Sequence, residues 1–231
     1  MPQLTTRRAI IRDAVGIGVG VASYGVSFGA LCVTSGLSIL QAQTLSAFMF
    51  TGASQFALVG VLAAGGGAAA AIATSLLLGF RNMAYALRMN LLLRPRGIKK
   101  AIAAQLTIDE STAMGLGHLA KADGDEGGRY AFWATGISVF VFWNLATLIG
   151  SVAASSAGDP KVFGLDSAIG AGFIALLWPQ LTDSYKRWVA VAGALTAILA
   201  ISFVRPGLPI LLAGCVAMGF GLVKKLEGGV R

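Results

Sequence analysis

Charge is scarce in this chain. Only 12% of its 231 residues are Asp, Glu, Lys or Arg and 56% are hydrophobic, whereas a soluble domain carries about a quarter charged residues. One histidine and two cysteines leave no set with metal-ligand spacing, and Cys32 and Cys215, both within apolar runs, read as packed thiols. The sequence holds no P-loop, no GxGxxG in a strand-helix setting, no HExxH and no GxSxG. Lacking a nucleotide site, the chain is no primary pump on its own. Intramembrane catalysis draws on Ser/His or Asp/Asp pairs, and a lone histidine at a segment edge does not supply them. We expect no enzyme, no cofactor and no metal. Linkers and low-complexity tails are missing too, so residues 1–231 read as one domain.

What remains is apolar. A mean hydropathy of +0.76 and several runs near the length needed to cross hydrocarbon predict an all-α, polytopic membrane helix bundle of about six to eight membrane segments. The net charge of +8 sits at the ends of these runs, where it meets headgroups and sets orientation, so the bilayer rather than nucleic acid is the expected surface. Arg7, Arg8 and Arg12 precede a stretch too long for a cleavable signal, which reads as a retained first helix with a cytoplasmic N-terminus.

That first span, Ala14 to about Gly36, carries Gly16 and Gly20, then Gly25 and Gly29. This spacing suits close helix packing, or else "SYGVSFG" unwinds to line a cavity, with Tyr24 and Ser27 the side chains to follow. Leu37 to Gly66 is long for one span and interrupted by Thr51, Gly52, Ala53, Ser54 and Gln55. If it crosses fully, the next helix, Ala68 to Leu87, delivers Arg88, Arg94, Arg96, Lys99 and Lys100 to the wrong side for the positive-inside rule. A broken or re-entrant pair near Gly52 restores the balance, and irregular backbone at membrane depth is tolerated where it lines a wet cavity. A full extra span over Ala101 to Ala120 also restores it.

The third helix carries Arg81, Tyr85 and Arg88 on one stripe, continued by Thr74 and Leu78. An ionisable group at membrane depth is a functional hypothesis by default. Arg88 lies near enough to the helix end to snorkel, whereas Arg81 is deep enough to need an interior partner. In Ala101 to Ala120, Gln105, Asp109 and Thr112 share a helical face with Glu110 beside it. Either this is a solvated surface helix, or Asp109 meets Arg81 or Arg88 as a proton or substrate gate. His118 is expected at the surface. "KADGDEGGR" reads as a loop before a span from Tyr130 to Ala154, in which Trp143 lies too deep for an interfacial belt and Asn144 needs an interior bond to another helix or to substrate. Asp166 suits a helix start before "WPQL". Two further spans, Val189 to Val204 and Leu208 to Val223, put the C-terminus inside.

In order, "FTGASQFALVGVLAAG", "LLLGFRNMAYALRMN", "TIDES", "GLDSAIGAGFIALLWPQL" and "GLPILLAGCVAMGFG" resemble the AzlC family, the large subunit of bacterial branched-chain amino acid exporters. The resemblance implies residence in the bacterial inner membrane and efflux of hydrophobic amino acids such as leucine, isoleucine, valine and methionine. It also implies proton-motive drive and a small membrane partner of the AzlD type. The family's Gly-Ala-x-Gln-Phe block falls on Gly52, Ala53, Gln55 and Phe56. Its Asn-x-Arg motif falls on Gly79 and Arg81, with glycine in place of the asparagine, and Ile108 stands between Thr107 and Asp109 of its acidic signature. Together with the reading of the residues above, Gly52, Ala53, Ser54, Gln55, Phe56, Arg81, Tyr85 and Asn144 are the expected substrate site, with Asp109 and Glu110 as proton carriers. A channel subunit and a non-transporting scaffold are the rival readings.

Overall fold

The computed structural model describes residues 4–121, 124–156, 174, 177–178, 181–204 and 208–228, and its regular structure among them is helical throughout. Among the described residues, three helices are long and apolar enough to cross a membrane: α1 (Leu4–Thr34), α4 (Ala68–Leu93) and α7 (Gly124–Ser156). Between the first two lie α2 (Ile39–Phe48) and α3 (Gly52–Ala63). Between the second and third lie α5 (Ile98–Gln105) and α6 (Asp109–Leu119). Then come α8 (Ser184–Ile201) and α9 (Leu208–Gly228). The expected Asp166 helix start falls outside the described residues.

The spine is α1 against α7, and the two run parallel. A Cβ on Gly18 would meet Ser138 at 2.5 Å and one on Gly25 would meet Ala146 at 2.9 Å, while Cβ atoms on Gly29 and Gly150 would run into the carbonyls of Thr147 and Val26. Residue numbers rise together along both helices. Small residues let the two backbones touch, which is how helices associate where lipid offers no hydrophobic drive. Gly25 and Gly29 therefore pack as their spacing predicts. Gly16 and Gly20 face open space, and α1 does not unwind.

The segment from Leu37 to Gly66 is broken into two short helices, one of the two arrangements that would satisfy the positive-inside count. Gly36 turns the chain out of α1 at φ +87°, and Ser38 caps α2 by accepting from the Gln41 N–H while the Gln41 side chain accepts from the Ser38 N–H. With 10 and 12 residues, α2 and α3 span roughly 15 and 18 Å at 1.5 Å per residue, about half the hydrocarbon thickness. Along α7 the chain passes Thr147, bonded by Ser46, then Phe140, whose ring meets Phe50. It then climbs back: Gly52 lies against Trp143, and Phe56 meets Phe28, the neighbour of Gly29. Gln55 donates to the Leu45 carbonyl across the hairpin at 2.9 Å.

A second hairpin, which the sequence reading did not separate, enters from the other end. Arg129 donates to the Leu92 carbonyl at 2.8 Å, so α4 finishes beside the start of α7, at the end where the Arg7 guanidinium covers Tyr130. From there α5 rises until Leu106 packs on Gly136, and α6 descends past Phe132 to Gly128. Ala101 to Ala120 is thus neither one span nor one surface helix. Its break at 106–108 takes Gln105 off the face shared by Asp109 and Thr112. Each half of this region consists of a full helix followed by two half-helices, and the halves are inverted with respect to each other.

Other boundaries move as well. The third helix runs to Leu93 rather than Leu87, and α7 begins at Gly124, inside the expected loop. Gly128 lets the start of α7 lie close to α6, since a Cβ there would lie 2.8 Å from the Gly115 carbonyl. Cys32 is buried, but Cys215 is exposed. The exposed side of α4 displays Ile72, Leu76, Phe80, Leu87 and Leu91, an apolar stripe suited to lipid. Gly150→Val should lower the unfolding free energy by about 1–3 kcal/mol through overpacking, whereas Gly16→Ala should leave it unchanged. Thermal unfolding of the detergent-purified protein checks both, and equal stability of the two variants would remove the α1–α7 seam as the spine.

Candidate functional site

The two hairpin tips meet around a cavity of about 350 Å³. The first tip supplies Phe50, Thr51, Gly52 and Ala53, and the second supplies Ile108, Asp109 and Glu110. The walls between them come from Tyr24 of α1, Arg81 and Asn82 of α4, and Val139 and Trp143 of α7. The volume lies in the range of small-molecule sites, and the position between facing elements is where such sites form.

The chemistry at the tips follows from the helix breaks. The first N–H groups of α3 have no partner within the helix, and Thr51, its N-cap residue, makes no side-chain capping bond. Gly52 and Ala53 therefore bring unbonded N–H groups and the positive end of the helix dipole to the cavity, an arrangement that attracts carboxylates. The second tip is acidic. Asp109 and Glu110 stand in the first turn of α6, where their negative charge meets the positive end of that helix's own dipole. Ser111 shapes this tip by accepting from the Ile108 N–H and donating to the Leu106 carbonyl at 2.6 Å.

Across the cavity Arg81 Nη2 lies 3.0 Å from Asp109 Oδ2, with side chains 41% and 33% exposed. Of the two partners open to Asp109, the structure chooses Arg81. Arg88 is exposed and makes no ion pair among the described residues, consistent with a guanidinium reaching toward the interface. Tyr85, one turn along from Arg81, is within reach of the Asp109 charge but does not line the cavity.

The family model described as "AzlC protein" matches residues 16–156, a stretch that includes every residue lining this cavity. The chain belongs to the AzlC family. Inner membrane protein YgaZ of Escherichia coli (strain K12) is 27% identical over 218 residues, covering 89% of this chain and 86% of that protein. No solved structure matches. As an AzlC protein, the chain is an all-helical membrane protein.

Gly52, Ala53, Arg81, Asp109 and Glu110 thus converge on one cavity from sites far apart in sequence. Ser54, Gln55 and Phe56 are buried behind its wall. Gln55 spends its amide N–H on the Leu45 carbonyl, and Phe56 packs against Phe28 and Trp143. Asn144 lies off the cavity and bonds neither a neighbouring helix nor the site: its amide donates to Phe140 of its own helix at 2.8 Å. His118, expected at the surface, is buried. Gly79, where the family motif leads one to expect asparagine, lies beside Ser54, and a Cβ there would stand 3.3 Å from Ser54 Oγ.

Missed from the sequence were Asn82 and Trp143. Asn82 was legible as a second polar residue beside Arg81, and Trp143 as an indole too deep for an interfacial belt. A double-mutant cycle of Arg81→Ala and Asp109→Ala should give a coupling free energy of about 1 kcal/mol, modest because the pair is partly exposed. Unfolding measured for the four proteins checks it, and zero coupling would mean that the pair does not form in solution.

Proposed function

We propose that this chain is the large subunit of a secondary exporter that carries hydrophobic amino acids across the bacterial inner membrane, coupled to proton movement and assisted by a small AzlD-type membrane subunit. The observation that carries this reading is the meeting of two half-helix hairpins, inserted from opposite ends, at one cavity containing an arginine–carboxylate pair. Transporters built from inverted repeats bind substrate at the midplane between broken helices. Membership of the AzlC family supports the same reading, and the absence of a nucleotide-binding motif points to an ion gradient as the source of drive.

The substrate carboxylate meets the N–H groups at the start of α3, and its ammonium meets the acidic tip of α6. Phe50, Ile108 and Val139 take the aliphatic side chain. Arg81 holds Asp109 until substrate arrives. When the pair parts, a carboxylate left in a dry site is costly unless it binds a cation or takes a proton, which gives Asp109 and Glu110 their coupling role. Each hairpin closes the cavity from one end, so moving them in turn opens it to either side. This is rearrangement without covalent chemistry, and we assign no enzymatic activity. The positive-inside rule applied to Arg7, Arg8, Arg12 and the basic turn from Arg94 to Lys100 places both hairpin α5–α6 and the N-terminus on the cytoplasmic side. The C-terminus is assigned to the same side.

Cells lacking their own exporters, loaded with branched-chain dipeptides and co-expressing both subunits, should release amino acid saturably and stop when a protonophore is added. Unsaturable conductance would instead identify a channel, and no release with both chains folded in the membrane would reject transport of these substrates. Arg81→Ala should cut export roughly tenfold or more, the worth of a charge-assisted hydrogen bond. Glu110→Gln and Asp109→Asn should separate proton drive from binding: whichever residue carries the proton, its neutral variant should still exchange internal for external substrate while losing net export. Gln55→Ala should reduce export together with thermal stability, because its amide holds the α2–α3 hairpin rather than the substrate. Normal export by every one of these variants would exclude the site.

A further inference from the structure

We infer that the groove between α4 and α5 binds one anionic phospholipid, with an acyl chain along the groove and the phosphate against the basic turn that joins the two helices. The inference does not depend on the export reading. The groove has a volume of about 250 Å³ and shares no lining residue with the central cavity. Met83, Leu87 and Leu93 of α4 form one wall, Ala103 and Ala104 of α5 form the other, and Lys100 stands at the end nearest the turn.

Shape selects a chain. From Met83 to Leu93 the α4 wall is roughly 15 Å long at 1.5 Å per residue, about half the hydrocarbon thickness of a bilayer. One leaflet is that deep. A volume of about 250 Å³ spread over this length leaves a channel a few ångströms across, too narrow for a helix about 10 Å wide but wide enough for a hydrocarbon chain. Thr107, at the far end, turns its hydroxyl to the Ala103 carbonyl at 2.6 Å, so that end stays apolar. Leu87 at the lip also belongs to the exposed apolar stripe of α4, so the groove opens towards lipid.

Charge selects the headgroup. Residues 94–100 hold Arg94, Arg96, Lys99 and Lys100 and no acid. All four are exposed, and among the described residues none makes an ion pair, whereas Arg12, Arg81, Arg129 and Lys186 each do. Positive φ angles at Arg94 and Gly97 fold the turn back and bring Lys100, in the first turn of α5, to the mouth of the groove. Basic residues beside a membrane helix attract anionic headgroups. A free phosphate would use the cations and leave the groove empty, and a zwitterionic lipid would bring its own cation to them. An anionic phospholipid matches both features.

The test is lipid retention by the purified chain, read by native mass spectrometry with phosphatidylglycerol and phosphatidylcholine as probes. The wild-type chain should hold one phosphatidylglycerol about tenfold more tightly than phosphatidylcholine. Lys100→Glu should weaken phosphatidylglycerol about tenfold. Ala104→Trp, which fills the groove from an exposed position without changing charge, should weaken both lipids. Arg8→Glu makes the same charge change at another exposed position and should leave binding unchanged. Thermal unfolding shows that each variant is folded, and Ala104→Leu stands in if the tryptophan variant is not. Equal loss in Arg8→Glu and Lys100→Glu would reduce the effect to net charge, and full retention by the filled groove would place the acyl chain elsewhere; either result overturns the site. Displacement of the lipid by inorganic phosphate overturns it too. A photo-crosslinker at Ala104 in cell membranes should add the mass of a lipid, and an adduct with a second copy of the chain or with another protein rejects the assignment.

Discussion

Backbone that stops being helical at membrane depth must find partners for its N–H and C=O groups inside the protein, because each unsatisfied group costs several kcal/mol in hydrocarbon. Here that constraint is met by side chains placed at the two breaks. Gln55 and Gln105 donate to the carbonyls of Leu45 and Ala47, which end α2, at 2.9 and 2.7 Å. Thr107 donates to Ala103, and Ser111 closes the turn that opens α6. The carbonyls at the end of α2 are thus held from both hairpins at once. The N–H groups at the start of α3, which lack a capping side chain, face the cavity instead. Satisfying one end of the break and leaving the other free gives the tip its polarity.

The hairpins need a wall to lean on, and the parallel pair α1–α7 supplies it. Glycines at 18, 25, 29 and 150 bring the two backbones into contact, and both hairpins pack along α7. The first reaches Trp143 from one end and the second reaches Gly136 from the other. Because the halves are inverted, the first-turn positions of α3 and α6 are structurally equivalent, yet Gly52 and Ala53 stand where the second half has Asp109 and Glu110. One tip is therefore a cradle for negative charge and the other a source of it. A pseudo-symmetric frame with asymmetric tips suits a ligand whose two ends carry opposite charges.

Legibility differed sharply between the two breaks. The first was visible because Gly52, Ser54 and Gln55 interrupt an apolar run and because crossing fully would misplace the basic turn after Arg88. The second was not. Leu106-Thr107-Ile108 contains no glycine or proline, and the flanking periodicity continues across it, so an unbroken helix fitted the pattern. What ends α5 is the Ser111 side chain competing for local backbone groups and Leu106 docking on Gly136 of a helix thirty residues later. Asn144 misled for the opposite reason: a polar side chain in an apolar span suggests an interhelical bond, but its own helix offered the Phe140 carbonyl.

The amino-acid sequence by itself determined the class of the molecule: scarce charge and long apolar runs leave helices in a bilayer. It also pointed to an interior partner for Arg81, since its guanidinium lies deeper along the helix than that of Arg88. Which partner, and what else stands there, was decided only by tertiary structure. Asp109 approaches Arg81, and Trp143 comes to lie over Gly52, because two hairpins enter from opposite ends and stop at the same depth. Such contacts join residues whose separation in the chain carries no periodic signal. They follow from helix packing, which a pattern along one strand of sequence does not encode.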